Sequence, residues 1–337
     1  MRFLVVGLGS MGKRRIRCLR ALKQLEVAGF DLREDRRAEA KDKYGIAVFG
    51  DFESALTSFK PQALIISVPP DVHGRYIREA IAHRLHFFVE ASVVEEGLAR
   101  AIESLRGTGL VAAPSATMLF HPGIKRVADV VHSGRLGRLS NILLHSGQYL
   151  PDWHTYEKVR DYYVCNPPTG GAREIVPFEL TWFVRVFGYP RRLCANYRKT
   201  IEIEGAPYID DTYNLLLDYG SYLASITVDV VSRYATRRLV INGSLGQLVW
   251  SWDENAVKLW DPDRQQWEQL SYVQAAAEQG YNANIGETMY IEELRCFIDA
   301  IEGKAQFVNT MEEDLAVLGL LASCERSDRL ASYVEVV

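Results

Sequence analysis

The sequence predicts an α/β chain: an N-terminal doubly wound parallel sheet, then an α+β domain built around a large, open and mostly antiparallel sheet. Two observations carry this reading. Up to about residue 120, short apolar runs alternate with helical stretches, the pattern of successive βαβ units. From about residue 120 to residue 270, apolar segments follow one another through turns suited to hairpins, such as Tyr219-Gly220-Ser221 and Gly243-Ser244-Leu245-Gly246. The expected division is therefore 1–120 and 121–337.

The first strand is MRFLVVG, which runs directly into G-L-G-S-M-G. Gly7, Gly9 and Gly12 stand at G-x-G-x-x-G spacing between a strand and a helix, with Ser10 and Met11 inside the turn. Gly7 allows the tight turn, Gly9 lets a pyrophosphate approach the backbone, and Gly12 lets the helix pack close to the strand. The helix N-terminus then presents unpaired N–H groups and a positive dipole end to the phosphates. A helix over Lys13 to Leu22 leads to a second apolar run, LEVAGFD, ending in Asp31. Asp31 lies nineteen residues past Gly12, where a Rossmann fold places the carboxylate that holds the adenosine ribose. A carboxylate repels a 2′-phosphate, so NAD is expected. Arg33, two residues on, is able to reach that phosphate, which keeps NADP as the alternative.

The stretch REDRRAEAKDKYG reads as a polar helix ending at Gly45, and AVFGDFESALTSFKP as a short strand and a helix stopped by Pro61. ALIISVPP is a nearly continuous apolar strand, as expected where both faces of a parallel sheet are covered. A helix from about Gly74 to Arg84, the strand HFFVE, the helix LARAIESLRGTG and the strand LVAAPSA complete the first domain. Ligands in such sheets sit at the carboxyl ends of the strands. That rule marks Gly7 to Gly12, Asp31, Ser67 to His73, Glu90 to Ser92 and Ser115 to Thr117.

HPGIKRVADVVHSGRLG reads as one helix. The strands that follow are SNILLHSGQYL, RLCANYRKTIEIE, DTYNLLLDYG, YLASITVDVV, RRLVINGS, GQLVWSW and NAVKLWD, and Trp250, Trp252, Trp260 and Trp267 lie near one face as an interface or a core. Helices close the chain around Glu287 to Glu302 and Met311 to Leu330.

Bulk properties narrow the partners. A net charge of −4 gives no reason to expect nucleic acid or an anionic membrane. No apolar run is long enough to span a bilayer. Five scattered cysteines without a C-x-x-C pair, and a chain that opens on a strand, lead us to expect a cytoplasmic protein without a signal peptide. No metal is expected: His83 and His86 lack a third ligand nearby in sequence and read as solvated at a helix end.

Taken together, VVGLGSMG, SVPPDVH, HFFVEAS, FHPGIKRVADVVHSGRLG and YIEELRCFIDAIEGK resemble the glucose-fructose oxidoreductase / inositol dehydrogenase (Gfo/Idh/MocA) family over nearly the whole chain. The resemblance implies NAD(P)-dependent oxidation or reduction of sugars, cyclitols or nucleotide sugars. It implies that Pro69, Pro70 and His73 line the cofactor pocket. It also implies a homodimer or homotetramer assembled through the open sheet.

The chain departs from the family at both signature motifs. The family's Glu-Lys-Pro is Glu90-Ala91-Ser92 here, so the lysine that approaches the nicotinamide is missing. The family's glycine cluster followed by Asp and His four residues apart is TGGAREIVPFELTWFVRVFG. One alignment places Glu174 and Phe178 at those positions, another Ile175 and Glu179. Pro177 is tolerable in the first helical turn, and that placement puts Arg173 and Glu174 at the helix mouth. Phe178 and Trp182 are expected to share a face and pack.

Between them lies a segment rich in His, Tyr, Arg and Asp, GQYLPDWHTYEKVRDYYVCNPP, from Gly147 to Pro168. Its rings are able to stack on a sugar, and Asp152, His154, Tyr156, Arg160 and Tyr163 to hydrogen-bond it; a dimer-contact loop is the bland alternative. Similar YLPDW segments occur in family members associated with surface-polysaccharide and nucleotide-sugar metabolism. His154 titrates near neutrality and is the first candidate for the missing proton-transfer group, with Arg173 and Glu174 at the helix mouth beside it. Two further readings stay open: a non-catalytic nicotinamide-dinucleotide sensor, and hydride chemistry confined to one substrate, as in an epimerase.

Overall fold

The computed structural model describes residues 1–154, 156–273 and 286–336. The chain forms two compact units, Met1–Thr117 with Met289–Ala316, and Met118–Thr288 with Val317–Val337.

The first unit opens with β1 (Phe3–Val6), α1 (Ser10–Ala21), β2 (Val27–Phe30), α2 (Glu34–Tyr44), β3 (Ala47–Phe49) and α3 (Phe52–Phe59). β4 (Ala63–Ile66), α4 (His73–Ala82), β5 (His86–Val89), α5 (Leu98–Leu105) and β6 (Ala112–Pro114) follow. All six strands are parallel, in the order β3-β2-β1-β4-β5-β6. Every residue of β1, β2 and β4 is buried, which is why their sequences are apolar without alternation. The order reverses between β1 and β4, so the crevice beyond their carboxyl ends is the expected ligand position. α2 stops at Gly45, whose φ of +57° is the left-handed cap geometry.

The second unit starts with α6 (Pro122–His132), shorter than the sequence pattern implies, because the chain turns at Gly134 and Gly137 with positive φ. β7 (Leu139–Tyr149), α7 (Ala172–Phe187), β8 (Arg192–Arg198), β9 (Thr212–Asp218), β10 (Leu223–Asp229) and β11 (Val231–Gly243) come next. β12 (Gln247–Ser251), β13 (Ala256–Asp261) and β14 (Gln266–Ser271) complete the run. α8 (Thr288–Ile301) and the start of α9 (Met311–Leu330) return to the first unit, and with the terminal β15 (Val334–Glu335) the sheet of the second unit reads β14-β13-β12-β11-β7-β10-β9-β8-β15. Among the described residues only the β7/β10 pairing of this sheet is parallel. Alternation is clear along β9 and β10: Tyr213, Leu215, Leu217, Ala224, Ile226 and Val228 are buried, while Leu216 and Leu223 face outward, half exposed.

Local chemistry corrects several expectations. β8 ends at Arg198 instead of running through Glu204, because buried Asp211 accepts from the amides of Thr200 and Ile201 and pulls the chain into a loop. Pro177 lies inside α7, five residues after its first residue, and not in the first turn. Arg173 and Glu174 nevertheless occupy that first turn. The tryptophans divide: Trp250 and Trp252 are core, and Trp267 is partly exposed against Trp260 at 5.5 Å.

Candidate active site

The glycine turn is held by contacts that no side chain would fit. A Cβ on Gly12 would lie 1.8 Å from the Gly7 carbonyl oxygen, and one on Gly7, at φ +94°, would lie 2.5 Å from the Ser67 carbonyl oxygen. The turn after β1 therefore interlocks with the turn after β4. α1 begins behind it with neither a capping side chain nor an acidic residue in its first turn, so the helix itself carries no anion at its positive end. Ser10 and Met11 start this helix.

Asp31 is buried at the end of β2. Its Oδ2 accepts the Leu8 amide at 2.8 Å and its Oδ1 the Arg33 amide at 2.9 Å. The carboxylate thus ties the glycine turn to β2 and keeps a second lone pair on each oxygen for a ribose hydroxyl. Arg33 turns away: its guanidinium pairs with Asp35 at 2.6 Å on the surface. Arg36, which the sequence pattern did not single out, lies closer, with Nη1 3.9 Å from Asp31 Oδ2 and 3.3 Å from where a Gly9 Cβ would be. Its place in the first turn of the helix that follows Asp31 is the available signal.

In the turn after β4, Pro69 is half-buried, and buried Pro70 begins a short 3₁₀ turn. His73 is buried, and its Nε2 bonds the Val68 carbonyl at 2.9 Å. Burial pushes its pKa down to about 4, so the ring is neutral and acts by fixing this turn. Ser67 Oγ donates to Glu90 Oε1 at 3.1 Å.

Glu90 belongs to a buried ion network. Arg15 Nε and Nη2 bond its two oxygens at 2.7 and 2.8 Å, and Arg15 Nη1 reaches Glu293 Oε2 at 2.9 Å. Glu293, on α8, also accepts from Ser115 Oγ, the Ala116 amide and Thr117 Oγ1. Glu90 therefore braces α1, β5 and the end of β6. Where the family has proline, buried Ser92 hydrogen-bonds Asp314, whose carboxyl burial pushes up to about 6. Elsewhere on this unit Glu53 and Glu79 come within 4.8 Å of His83, a surface group with more carboxylates near His83 than its sequence neighbours suggested.

In the second unit, the segment between β7 and α7 folds back on itself. Short 3₁₀ turns at Leu150–Asp152, Val159–Asp161 and Tyr163–Cys165 bury Leu150, Val159 and Val164. The glycine pair closes the loop: a Cβ on Gly170 would lie 2.0 Å from the Val164 carbonyl oxygen, which accepts the Gly171 amide. His154 is stacked between Tyr156 and Tyr162 at 5.1 and 4.7 Å, so its faces meet tyrosines instead of a sugar. Its Nδ1 is 3.7 Å from Glu157.

Glu174 points into this loop. Tyr163 donates to its Oε1 at 2.5 Å, while Oε2 is sealed from solvent without a hydrogen-bond partner, as is the Tyr162 hydroxyl. Burial pushes the Glu174 carboxyl up to about 8, against the opposing pull of the Tyr163 hydrogen bond. Arg173 is not part of this group: it bonds Glu325 at 2.6 Å and the Pro168 carbonyl at 2.5 Å. Glu179, the other carboxylate considered for the motif, is fully buried and bonds Ser146, Trp182 and Arg237. Tyr162 was missed; its position among charged and aromatic loop residues was the only signal. Phe178 stays partly exposed while Trp182 is buried, with Arg237 5.8 Å from the Phe178 ring.

Residues 1–103 match the model described as oxidoreductase family, NAD-binding Rossmann fold, and residues 124–249 match the GFO/IDH/MocA C-terminal domain. The chain belongs to the Gfo/Idh/MocA oxidoreductase family. Within it, the chain is similar to D-xylose 1-dehydrogenase (NADP(+)) 2 of Haloferax volcanii, at 25% identity over 45% of this chain and 48% of that one. It is 27% identical to inositol 2-dehydrogenase of Burkholderia cenocepacia over 42% of this chain and 43% of that one. The chain thus spans under half the length of the curated relatives it matches. Levoglucosan dehydrogenase, solved with NADH, shares the fold over 100% of this chain and 99% of its own, at a TM-score of 0.85 and 14% identity. Among the described residues no helix of this Gfo/Idh/MocA protein is long and apolar enough to cross a membrane.

Proposed function

We propose that this protein is an NAD(P)-dependent oxidoreductase acting on a carbinol or keto group of a sugar, cyclitol or nucleotide sugar. The observation that carries the reading is the interlocked glycine turn, tied by its Leu8 amide to Asp31, ahead of a helix with no side-chain cap and no acidic residue in its first turn. Gly7, Gly9, Ser10, Met11 and Gly12 would hold the pyrophosphate of a nicotinamide dinucleotide, and Asp31 its ribose. Ser67, Pro69 and Pro70 line the adjoining turn, which His73 fixes through Val68 and Glu90 through Ser67. Bound there, the cofactor carries the hydride. The NADP(+) of the xylose enzyme supports testing NADP here, with Arg36 rather than Arg33 near the ribose end.

The protein's share is the proton. Of the three candidates, Glu174 has the right chemistry: a sealed carboxyl able to change protonation near the working pH. His154 supports Tyr162 by stacking, and Arg173 braces the loop through Glu325. The sheet's outer face supports self-association as a dimer or tetramer. A cross-strand row runs from half-exposed Leu216 through Ser225, half-exposed Leu143 and Val240 to Val249.

The first test is a fluorescence titration with NADH and NADPH, beside an Asp31→Ala variant. Tight NADH binding that the variant loses is expected; preference for NADPH would move the assignment to Arg36. A binding-only sensor is the second reading, favoured by Ala91 in place of the family lysine. Turnover of myo-inositol, D-xylose, levoglucosan or a nucleotide sugar would end it.

A further inference from the structure

We propose that Glu90 sets the redox preference of the dinucleotide site: its carboxylate, at the front of a buried ion network, favours the oxidised nicotinamide, whose ring is cationic, over the neutral reduced one. The inference rests on the dinucleotide-binding reading above, and every residue it uses belongs to the first unit. Placement comes from the strand order, in which β2 and β4 flank β1. Asp31 follows β2 and the Gly7–Gly12 turn follows β1, the places for the adenosine ribose and the pyrophosphate. A dinucleotide lying across this crevice therefore directs its nicotinamide half over the ends of β4 and β5, where Ser67 and Glu90 stand.

The charge count gives the sign. Arg15 bonds both Glu90 oxygens and Glu293 Oε2, so one guanidinium serves two carboxylates and the trio keeps a negative charge. Glu293 is ionised, although burial pushes its pKa up, because hydrogen bonds take all its lone-pair sites. Ser115 Oγ and the Ala116 amide bond its Oε1, and Thr117 Oγ1 and Arg15 bond its Oε2. The Arg15 and Glu293 side chains have no exposure, while that of Glu90 keeps 14%, so the anion stands in front and the cation behind it. Ser67 Oγ holds Glu90 Oε1 at 3.1 Å towards the end of β4. Neither Ser67 to His73 nor Glu90 to Glu96 contains a lysine or arginine, and buried His73 is neutral. Arg14, the next cation on α1, is held over the Tyr290 ring at 4.3 Å and by Met11 Sδ at 3.6 Å. Reduction removes the positive charge of the nicotinamide ring, so a carboxylate at this edge stabilises the oxidised form, by about tenfold for one charge in a partly buried cleft. The bound dinucleotide is thereby a stronger hydride donor than the free one.

The test measures, by calorimetry, the affinities for NAD and NADH, and for NADP and NADPH, in wild type, Glu90→Gln and Glu90→Asp. Wild type is expected to bind the oxidised form at least as tightly as the reduced one. Glu90→Gln should raise the ratio of the oxidised to the reduced dissociation constant about tenfold, which is about 30 mV in the midpoint of the bound two-electron couple. Glu90→Asp keeps the charge and should hold the ratio within about threefold of wild type. Both forms bind the same folded protein, so a partly unfolded variant weakens both alike and leaves the ratio unchanged. A Glu90→Gln ratio within about threefold of wild type overturns the inference and leaves the dinucleotide reading intact, as does a Glu90→Asp shift as large as that of Glu90→Gln. Wild type preferring the reduced form by more than about tenfold overturns it without any variant. Wild type binding none of the four compounds overturns the dinucleotide reading as well.

Discussion

Replacing Arg15 by methionine is the sharpest test of how the first unit holds together. The Arg15 side chain is fully buried and makes three charged hydrogen bonds, at 2.7 and 2.8 Å to Glu90 and 2.9 Å to Glu293. Methionine fills much of the same volume but leaves two carboxylates without their cation. Glu293 keeps three donors, from Ser115, Ala116 and Thr117, yet has no exposure through which water could compensate. Breaking a buried pair from one side costs about 3–5 kcal/mol. The guanidinium also sits 4.4 Å over the Phe88 ring, an attraction of order 1 kcal/mol that a thioether replaces in part. The expected loss is therefore about 4 kcal/mol, a large fraction of a domain's stability. With a urea slope of about 2 kcal/mol per molar, the midpoint should fall by about 2 M. All six tryptophans lie between residues 153 and 267, in the second unit, so their fluorescence does not report on this change. Far-ultraviolet circular dichroism, with hydrogen exchange across α1 and α8, reads it. A midpoint within about 0.5 M of wild type would refute the reasoning. The triple variant Arg15→Met, Glu90→Gln, Glu293→Gln should recover at least half of the loss, because the stranded charges are gone.

Three other outcomes are expected. Glu179→Ala strands the buried Arg237 guanidinium and the Trp182 indole N–H, and should lower stability by about 3–5 kcal/mol, measurable as a fall in Tm of about 10 °C. Gly12→Ala drives a methyl to 1.8 Å from the Gly7 carbonyl oxygen, and should weaken NADH binding at least about tenfold by calorimetry while the second unit's tryptophan emission stays unchanged. His73 is held neutral by burial, with its pKa pushed down to about 4. The stability it contributes is complete above its unfolded value near 6.5 and is lost as the pH falls from there to about 4. The loss should approach 3 kcal/mol, and His73→Asn should flatten that part of the profile in urea titrations at successive pH values.

What could be read from the residues was local. Parallel strands buried on both faces announce themselves as apolar runs, and a glycine turn with an acid one βαβ unit later needs no tertiary information. The missed features each depend on pairing. Gln266–Ser271 is largely exposed and polar, so β14 carries no apolar signal and exists through its ladder with β13. Arg15 meets Glu293 across 278 positions, which no spacing rule reaches. His154 is the sequence's first candidate for its solution acidity, but its ring stacks on tyrosines, while the raised pKa of Glu174 comes from burial that sequence does not display. Pro177 was expected in a first turn because an interior proline costs a backbone hydrogen bond, and α7 nevertheless begins five residues earlier.

The first unit is assembled from two stretches of chain, with about 170 residues of the second unit threaded between them. On the ribosome, β1 to β6 emerge early but wait for α8, and until Glu293 arrives Arg15 has half of its anionic surroundings. A fragment ending near residue 120 would stay permanently in that condition. Joining Thr117 to Met289 through a short linker would give the minimal self-sufficient dinucleotide module, whereas the leading segment by itself should be prone to aggregate.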